Sequence, residues 1–128
     1  MKNFKHLFFY ILGVSMFSCA EANSQVKNLS LDDFVIAYQS TENSQLLDVR
    51  TAGEWSNGIL VKSEKVDFKD AQFTENINKL DKSKIYFVYC AAGGRSARAA
   101  KVLLENGFKV YNLIGAGYGQ LASKEMGE

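Results

Sequence analysis

The stretch that decides the fold runs from Ile85 to Leu104 and reads IYFVYCAAGGRSARAAKVLL. Residues 84–89 predict a buried strand, because they form a short run dominated by aromatic and β-branched side chains. Cys90 ends this run, and a glycine-rich loop follows it. Residues 96–106 predict a helix that Gly107 terminates. A strand, a tight glycine loop and a helix are the parts of a parallel α/β sheet, where reactive groups collect at the carboxyl ends of the strands.

The rest of the chain continues the alternation of strands and helices. Ser30 is a candidate N-cap, with Asp32 and Asp33 in the first turn of the helix that follows it. Short connections between alternating elements predict an α/β fold: one central, mostly parallel sheet with helices on both faces. The remaining predicted elements are a helix at 31–39, a strand at 45–50, a helical turn at 51–58, a strand at 65–68, a helix at 71–80, a strand at 109–114, a loop at 115–119 and a short final helix.

Length and composition limit the classes of function. The chain has 128 residues, which is room for one domain. Its apolar fraction of 47% and charged fraction of 23% are typical of a globular protein, so the core can fold without disulfides. The net charge of +1 becomes −1 (13 basic minus 14 acidic residues) once Lys2 and Lys5 are left out. Such a balance gives no electrostatic basis for binding nucleic acid.

The amino-terminal residues predict an export signal. Lys2 and Lys5 give a positive start, and residues 7–17 form an apolar run of 11 residues. That run is too short for a transmembrane span and has the length of a signal-peptide core.

A small residue and Cys19 directly follow this run, and the pair resembles a bacterial lipobox. In such signals the cysteine becomes the lipidated first residue of the mature protein. We therefore expect a lipoprotein signal at 1–18, a flexible tether at 19–28, and a membrane-anchored protein of the bacterial cell envelope that faces the periplasm. Ordinary cleavage after Ala22 is the alternative.

Cys90 is the candidate nucleophile. If Cys19 is lipidated or removed, Cys90 has no partner for a disulfide within the chain. A thiol at the start of a helix meets backbone N–H groups and the positive end of the helix dipole, and both favour the thiolate. The polar loop after Cys90 predicts an accessible thiol, and Gly93 and Gly94 allow the backbone to curl around it.

Four motifs together resemble the rhodanese-like domain, a sulfurtransferase fold, over about residues 29–122, and we place the domain at 29–128. Leu46-Leu47-Asp48-Val49-Arg50 with Glu54-Trp55 is similar to the first motif of the family, and Tyr89–Ala100 is similar to its active loop and the helix after it. Leu103–Leu113 is similar to the next helix–strand pair, and Gly115-Ala116-Gly117 to a Gly-Gly turn.

The resemblance implies a sulfurtransferase that needs no metal or cofactor. Cys90 would take the outer sulfur of a donor (thiosulfate, polysulfide or a persulfide) and pass it to a thiol or to cyanide. The loop would cradle the persulfide through Ala91, Ala92, Gly93, Gly94, Arg95 and Ser96.

Several arginines have open roles. Arg95 could hold a substrate anion or pair with a carboxylate and brace the loop. Arg50 and Arg98 are minor candidates for the rim of the site. We expect Asp48, Arg50 and Glu54 to form a structural ion network, and Trp55 to lie in the core.

The sequence departs from the family after Gly58, where Ile59-Leu60-Val61-Lys62-Ser63 stands in place of a Gly-His-Ile-Pro-Gly-Ala stretch. A binding role, as a non-catalytic interaction domain or a persulfide carrier, is therefore an alternative. A phosphatase or arsenate reductase of the same fold is another. Those enzymes have five residues between the cysteine and the arginine of the loop, whereas four separate Cys90 from Arg95 here.

Overall fold

A computed structural model describes residues 25–124 and 126 of the chain. Its five strands form one sheet in the order β1-β5-β4-β2-β3, and every neighbouring pair is parallel. The strands are β1 (Lys27–Leu29), β2 (Ser44–Asp48), β3 (Glu64–Lys65), β4 (Ile85–Tyr89) and β5 (Lys109–Leu113). The helices are α1 (Leu31–Ser40), α2 (Ala52–Trp55), α3 (Phe73–Ile77), α4 (Gly94–Glu105) and α5 (Tyr118–Ser123). The predicted α/β fold with a parallel central sheet is confirmed.

The sheet is buried on both faces, which is why β4 is apolar at every position. Tyr86 and Val88 pack into one core with α3 and α4, whereas Phe87 and Tyr89 pack into the other with α1 and α5. Side chains alternate between the two faces of a strand, so the residue after Tyr89 points back toward α4. Alternation therefore places Cys90 on the α4 side of the sheet.

Aromatic rings fill the core that faces α1. Phe87 makes edge-to-face contacts with Phe34, at 5.4 Å between ring centroids, and with Tyr38, at 5.6 Å. It stacks on Tyr111 of the neighbouring strand at 4.9 Å. Such pairs add stabilisation beyond the burial of their surface. They fix α1 against β4 and so hold the strand that carries Cys90.

The tether predicted at 19–28 is too long, because Lys27–Leu29 form strand β1 along the edge of β5. The buried Asn112 amide donates to the Asn28 side-chain oxygen at 2.9 Å. The side chains of Lys27 and Asn28 are exposed, so their composition resembles that of a linker. Backbone pairing to β5, which composition does not report, makes this segment a strand.

The other boundaries shift by a few residues. Ser30 occupies the N-cap position of α1, but its hydroxyl makes no capping bond. Helix α3 is shorter than predicted, although its two buried residues, Phe73 and Ile77, are the ones that the apolar spacing indicated. Helix α4 begins at Gly94 rather than at Ser96, which shortens the loop after Cys90.

The predicted signal at 1–18 and the Cys19 lipidation site lie outside the described residues. Among residues 25–124 and 126, no helix has the length and apolar character that crossing a bilayer requires.

Candidate active site

Cys90 lies one residue beyond the carboxyl end of β4 and is 1% exposed. The prediction of an accessible thiol is therefore wrong. The strand alternation explains the difference, because it turns the Cys90 side chain toward the core beneath α4, whatever the polarity of the loop that follows. It is the only cysteine of the described part of the chain, and it forms no disulfide.

Although it is buried, the thiol faces polar hydrogens rather than apolar neighbours alone. The Gly93 backbone N–H donates to Cys90 Sγ at 3.0 Å. Gly93 has a φ of 103°, a left-handed conformation that other residues adopt only with strain. This conformation turns the chain directly from the strand into α4, so the thiol sits at the amino-terminal end of a 12-residue helix.

Two opposing effects set the pKa of Cys90. Burial raises it, but the Ser96 hydroxyl and the backbone N–H groups of Ser96, Ala92 and Gly93 stabilise the thiolate. The hydrogen bonds prevail, so the pKa lies below the ordinary value of 9.0. In the structure the Ser96 hydroxyl donates to the Gly93 carbonyl oxygen at 3.1 Å. Since it carries one proton, it must rotate away from this oxygen to donate to the thiolate.

Arg95, the second residue of α4, is engaged by a carboxylate. Its Nη2 donates to Glu54 Oε2 at 2.9 Å, and its Nη1 donates to the other oxygen of the same carboxylate. Glu54 is itself fixed at the start of α2 by a capping box with Thr51. Of the two roles open to Arg95, the geometry is that of the brace: it ties the start of α4 to α2.

Arg50 pairs with Asp48, and both residues are almost fully buried. Its Nε and Nη2 donate to the Asp48 carboxylate, and Nη2 also donates to the Gly58 carbonyl oxygen at 2.8 Å. The Tyr118 ring covers the guanidinium at 3.8 Å from its carbon to the ring centroid.

Arg50 is thus enclosed, and it does not lie at the rim of the site. The predicted network of Asp48, Arg50 and Glu54 is divided in two, because the Glu54 carboxylate pairs with Arg95. Arg50 reaches only the Glu54 backbone oxygen, at 3.5 Å.

The two remaining side chains from the sequence prediction, Arg98 and Trp55, lie closer to the protein surface. Arg98 is exposed on α4, with its guanidinium carbon 5.4 Å from the centroid of the Phe68 ring. Trp55 is half-buried rather than in the core, and Lys65 Nζ lies 5.6 Å from the centroid of its ring. Trp55 is the last residue of the four-residue helix α2.

A second loop supports the cysteine loop. The Tyr118 N–H donates to the Cys90 carbonyl oxygen at 2.8 Å. A Cβ atom at Gly117 would lie within 2.5 Å of the Cys90 and Ala91 carbonyl oxygens, so the two backbones are in direct contact there. The sequence predicted only a turn at Gly117 and a loop at Tyr118, without a contact to the Cys90 loop. The spacing of the glycines in residues 115–119 was the feature that could have indicated a close approach of two backbones.

The site consists of a thiol, backbone amides and one hydroxyl. Among residues 25–124 and 126, no group of three or more His, Cys, Asp or Glu side chains could hold a metal ion.

The chain is similar to several known proteins. A family model of the rhodanese-like domain matches residues 23–119. A Bacillus subtilis (strain 168) protein named "Putative sulfurtransferase YtwF" is 31% identical over 91 residues, which cover 71% of this chain and 86% of that protein.

Two solved structures have the same fold. A rhodanese-like domain protein from Staphylococcus aureus superimposes with a TM-score of 0.61 at 27% identity, covering 71% of this chain and 87% of the other. A protein of unknown function from Rhodopseudomonas palustris, described as a "Possible Tyrosine Phosphatase", gives a TM-score of 0.60 at 29% identity, covering 81% and 85%. On the family match, the shared fold and the position of Cys90, this chain belongs to the rhodanese-like domain family.

Proposed function

We propose that the protein is a sulfurtransferase in which Cys90 carries the sulfur as a persulfide. The observation that carries the proposal is the donation of the Gly93 N–H to Cys90 Sγ at the start of α4. Because the pKa of Cys90 is lowered, more of the thiol is ionised near neutral pH than in a free cysteine. The thiolate is the form of cysteine that attacks sulfur.

The reaction runs in two displacements. In the first, the Cys90 thiolate attacks the outer sulfur of a donor and a new S–S bond forms. The bond between this sulfur and the rest of the donor breaks, and the leaving group takes the electron pair. In the second, the thiolate of an acceptor attacks the outer sulfur of the Cys90 persulfide and regenerates the Cys90 thiolate. No net oxidation takes place. The lowered pKa of Cys90 favours the thiolate that attacks, so the step relies less on an external base.

The same donors serve both states of the site. A terminal persulfide sulfur carries negative charge, and preorganised N–H groups stabilise such charge without reorganising. The turn holds the Gly93 N–H toward the sulfur. The Ser96 hydroxyl donates to the Gly93 carbonyl oxygen in the structure and reaches the sulfur by rotating. The loop therefore stabilises both the thiolate and the persulfide anion that replaces it.

The test is intact-mass spectrometry after incubation with a sulfur donor. We expect the protein to gain the mass of one sulfur atom and to lose it on addition of cyanide. Cys90→Ser, which replaces the sulfur by a smaller oxygen, should fold as the wild type does and gain nothing. A Cys90→Ser protein that transferred sulfur at the wild-type rate would disprove the mechanism, and a wild type that no donor loads would favour a binding role.

A phosphatase is the second candidate, because one similar structure is described as a "Possible Tyrosine Phosphatase". The loop argues against it. Arg95, the residue that would contact a phosphate, is held by both oxygens of Glu54, and four residues rather than five separate it from Cys90. Hydrolysis of an aryl phosphate that Cys90→Ser abolishes would favour the phosphatase instead.

For location, we propose the lipoprotein expected from the sequence, anchored through Cys19. The proposal is supported by the positive start, the apolar run at 7–17 and the small residue before Cys19. Labelling with a fatty acid in a bacterial host should mark the wild type and not Cys19→Ala. A mature amino terminus at Asn23 would overturn it.

A further inference from the structure

The charges around the mouth of the site indicate which sulfur donor it accepts. The two arginines at this edge of the sheet are both committed to internal partners. Arg95 donates through both terminal nitrogens to Glu54, and Arg50 is enclosed by Asp48, Gly58 and Tyr118. Neither guanidinium is left to meet an anion that approaches Cys90.

Carboxylates offset the positive charge that does lie near the thiol. Arg95 is close enough to Cys90 to interact with its thiolate, but Glu54 and Asp67 act on the same guanidinium and help to raise its pKa. Arg98 adds one charge, and its guanidinium lies beside the Phe68 ring. The charges of Arg95 and Arg98 are therefore cancelled by those of Glu54 and Asp67. The thiolate makes the net charge of the site negative.

The surface next to the loop is uncharged. Ala91 and Ala92 are the exposed residues directly after Cys90. The turn that follows β5 contacts the loop, because a Cβ at Gly93 would lie 3.7 Å from the Gly115 nitrogen. In that turn Ile114 leaves 45% of its surface exposed. An approaching donor thus meets the methyl groups of the alanines and the branched aliphatic side chain of Ile114 rather than ammonium or guanidinium groups.

From this charge distribution we infer that the sulfur donor is an organic persulfide of low net charge, and not a dianion such as thiosulfate. The inference rests on the proposed sulfur transfer and names its substrate class. A dianion would be desolvated beside a thiolate, which is costly, because Arg50 and Arg95 are paired with carboxylates and Arg98 lies on the exposed surface of α4. A persulfide brings at most one negative charge, and it reacts as the neutral form R–S–SH.

The step balances without a further reactant. The Cys90 thiolate attacks the outer sulfur of R–S–SH, the bond between the two donor sulfurs breaks, and R–S⁻ leaves with the electron pair. The product is Cys90–S–SH. The proton stays on the transferred sulfur, and the leaving thiolate is protonated by water.

The experiment measures the second-order rate constant for loading Cys90, by intact mass, with cysteine persulfide and with thiosulfate. For the wild type we expect cysteine persulfide to load at least ten times faster than thiosulfate, roughly the effect of one favourable charge contact. Added salt should leave the thiosulfate rate unchanged or raise it, since screening removes repulsion.

Ala92→Arg places an unpaired guanidinium at the exposed loop. It should raise the thiosulfate rate about tenfold relative to the cysteine persulfide rate and reverse the sign of the salt dependence for thiosulfate. Ala97→Arg is the matched control. It adds the same charge at an exposed position of α4 that faces Gln25 and Val26, away from the mouth, and should change neither rate. Glu54→Gln, which releases Arg95 from its carboxylate, is a second route to the same gain.

The outcomes separate the inference from the proposed function. Thiosulfate that loads wild-type Cys90 as fast as cysteine persulfide overturns the inference and leaves sulfur transfer intact. Ala92→Arg and Glu54→Gln proteins that fold and gain nothing toward thiosulfate overturn the charge argument. A Cys90 that neither donor loads overturns the proposed function, and the inference with it.

Discussion

Strands β2 and β4 lie side by side and end at the same edge of the sheet, yet β2 ends in a charged pair and β4 ends in a thiol. Asp48 and Tyr89 are partners in the register, and the residues just beyond them are Val49-Arg50 on one strand and Cys90 on the other. The end of β2 buries a charged pair with its hydrogen bonds satisfied internally. The end of β4 buries a thiol whose donors are backbone N–H groups and one hydroxyl.

This difference separates the residues that support the framework from the residues that would carry the proposed reaction. Charged side chains at this edge hold the framework: Asp48 with Arg50, and Glu54 with Arg95. The reactive sulfur receives neutral donors that the backbone positions. Because those donors are fixed by the turn at Gly93, the site can stabilise an anion without presenting a free cation to substrates.

The largest effect should come from breaking the pair at the end of β2. Asp48→Ala leaves the Arg50 charge buried without its partner, which should cost about 3–5 kcal/mol in the free energy of unfolding. Chemical denaturation measures it. The control replaces both members, Asp48→Leu with Arg50→Met, and should recover a large part of the loss. A single variant that loses less than about 1 kcal/mol would mean that the pair is not structural.

A smaller loss should follow from separating the two loops that meet at Cys90. Gly117→Ala drives a methyl group into the Ala91 carbonyl oxygen, which should cost about 1–3 kcal/mol and slow persulfide formation. Gly119→Ala is the matched control, because a Cβ there meets nothing within 4 Å. If both variants unfold at the same denaturant concentration, the contact between the loops is unimportant.

The neutral donors at the end of β4 can be tested one at a time. Ser96→Ala removes a hydroxyl that stabilises the thiolate, so the pKa of Cys90 should rise and the loading rate should fall roughly tenfold. The ultraviolet absorbance of the thiolate reports this pKa without a reagent that must enter the site. Ser123→Ala, whose hydroxyl donates to Gln120 far along α5, serves as the control. An unchanged titration in Ser96→Ala would assign the lowered pKa to the backbone alone.

The smallest effect should come from the Glu54–Arg95 pair, which is partly exposed. Arg95 lowers the pKa of Glu54 from 4.5 to about 2. The stabilisation from this shift is therefore complete above pH 4.5 and is lost as the pH falls toward 2. Glu54→Gln should lower stability at neutral pH by about 1 kcal/mol and flatten its pH dependence in that window. A wild type and variant whose stabilities stay parallel from pH 5 to 2 would contradict the assignment.

Sequence patterns located the candidate nucleophile but did not predict its surroundings. The apolar run before Cys90 and the glycines after it placed the thiol between a strand and a helix, and the structure has both elements there. The polar loop after Cys90 also predicted an accessible thiol. That prediction did not take into account the alternation of side chains along β4, which turns Cys90 into the core under α4.

The arginines show the same limit. From the sequence, Arg95 could bind substrate or brace the loop, and Arg50 could reach the rim, because each residue type suits both roles. The choice depends on which carboxylate lies within reach. Glu54 is 41 positions from Arg95 along the chain, and only the folded structure brings them together.

By itself, the sequence determined the α/β architecture and the position of the candidate nucleophile, because hydrophobic periodicity and turn residues act over a few neighbours. Tertiary structure alone decided that residues 27–29 form a strand, that Cys90 is buried among donors, and that both nearby arginines are engaged. These features depend on contacts between distant segments, and on the cost of burying a charge or an N–H group without a partner. No local pattern encodes that cost.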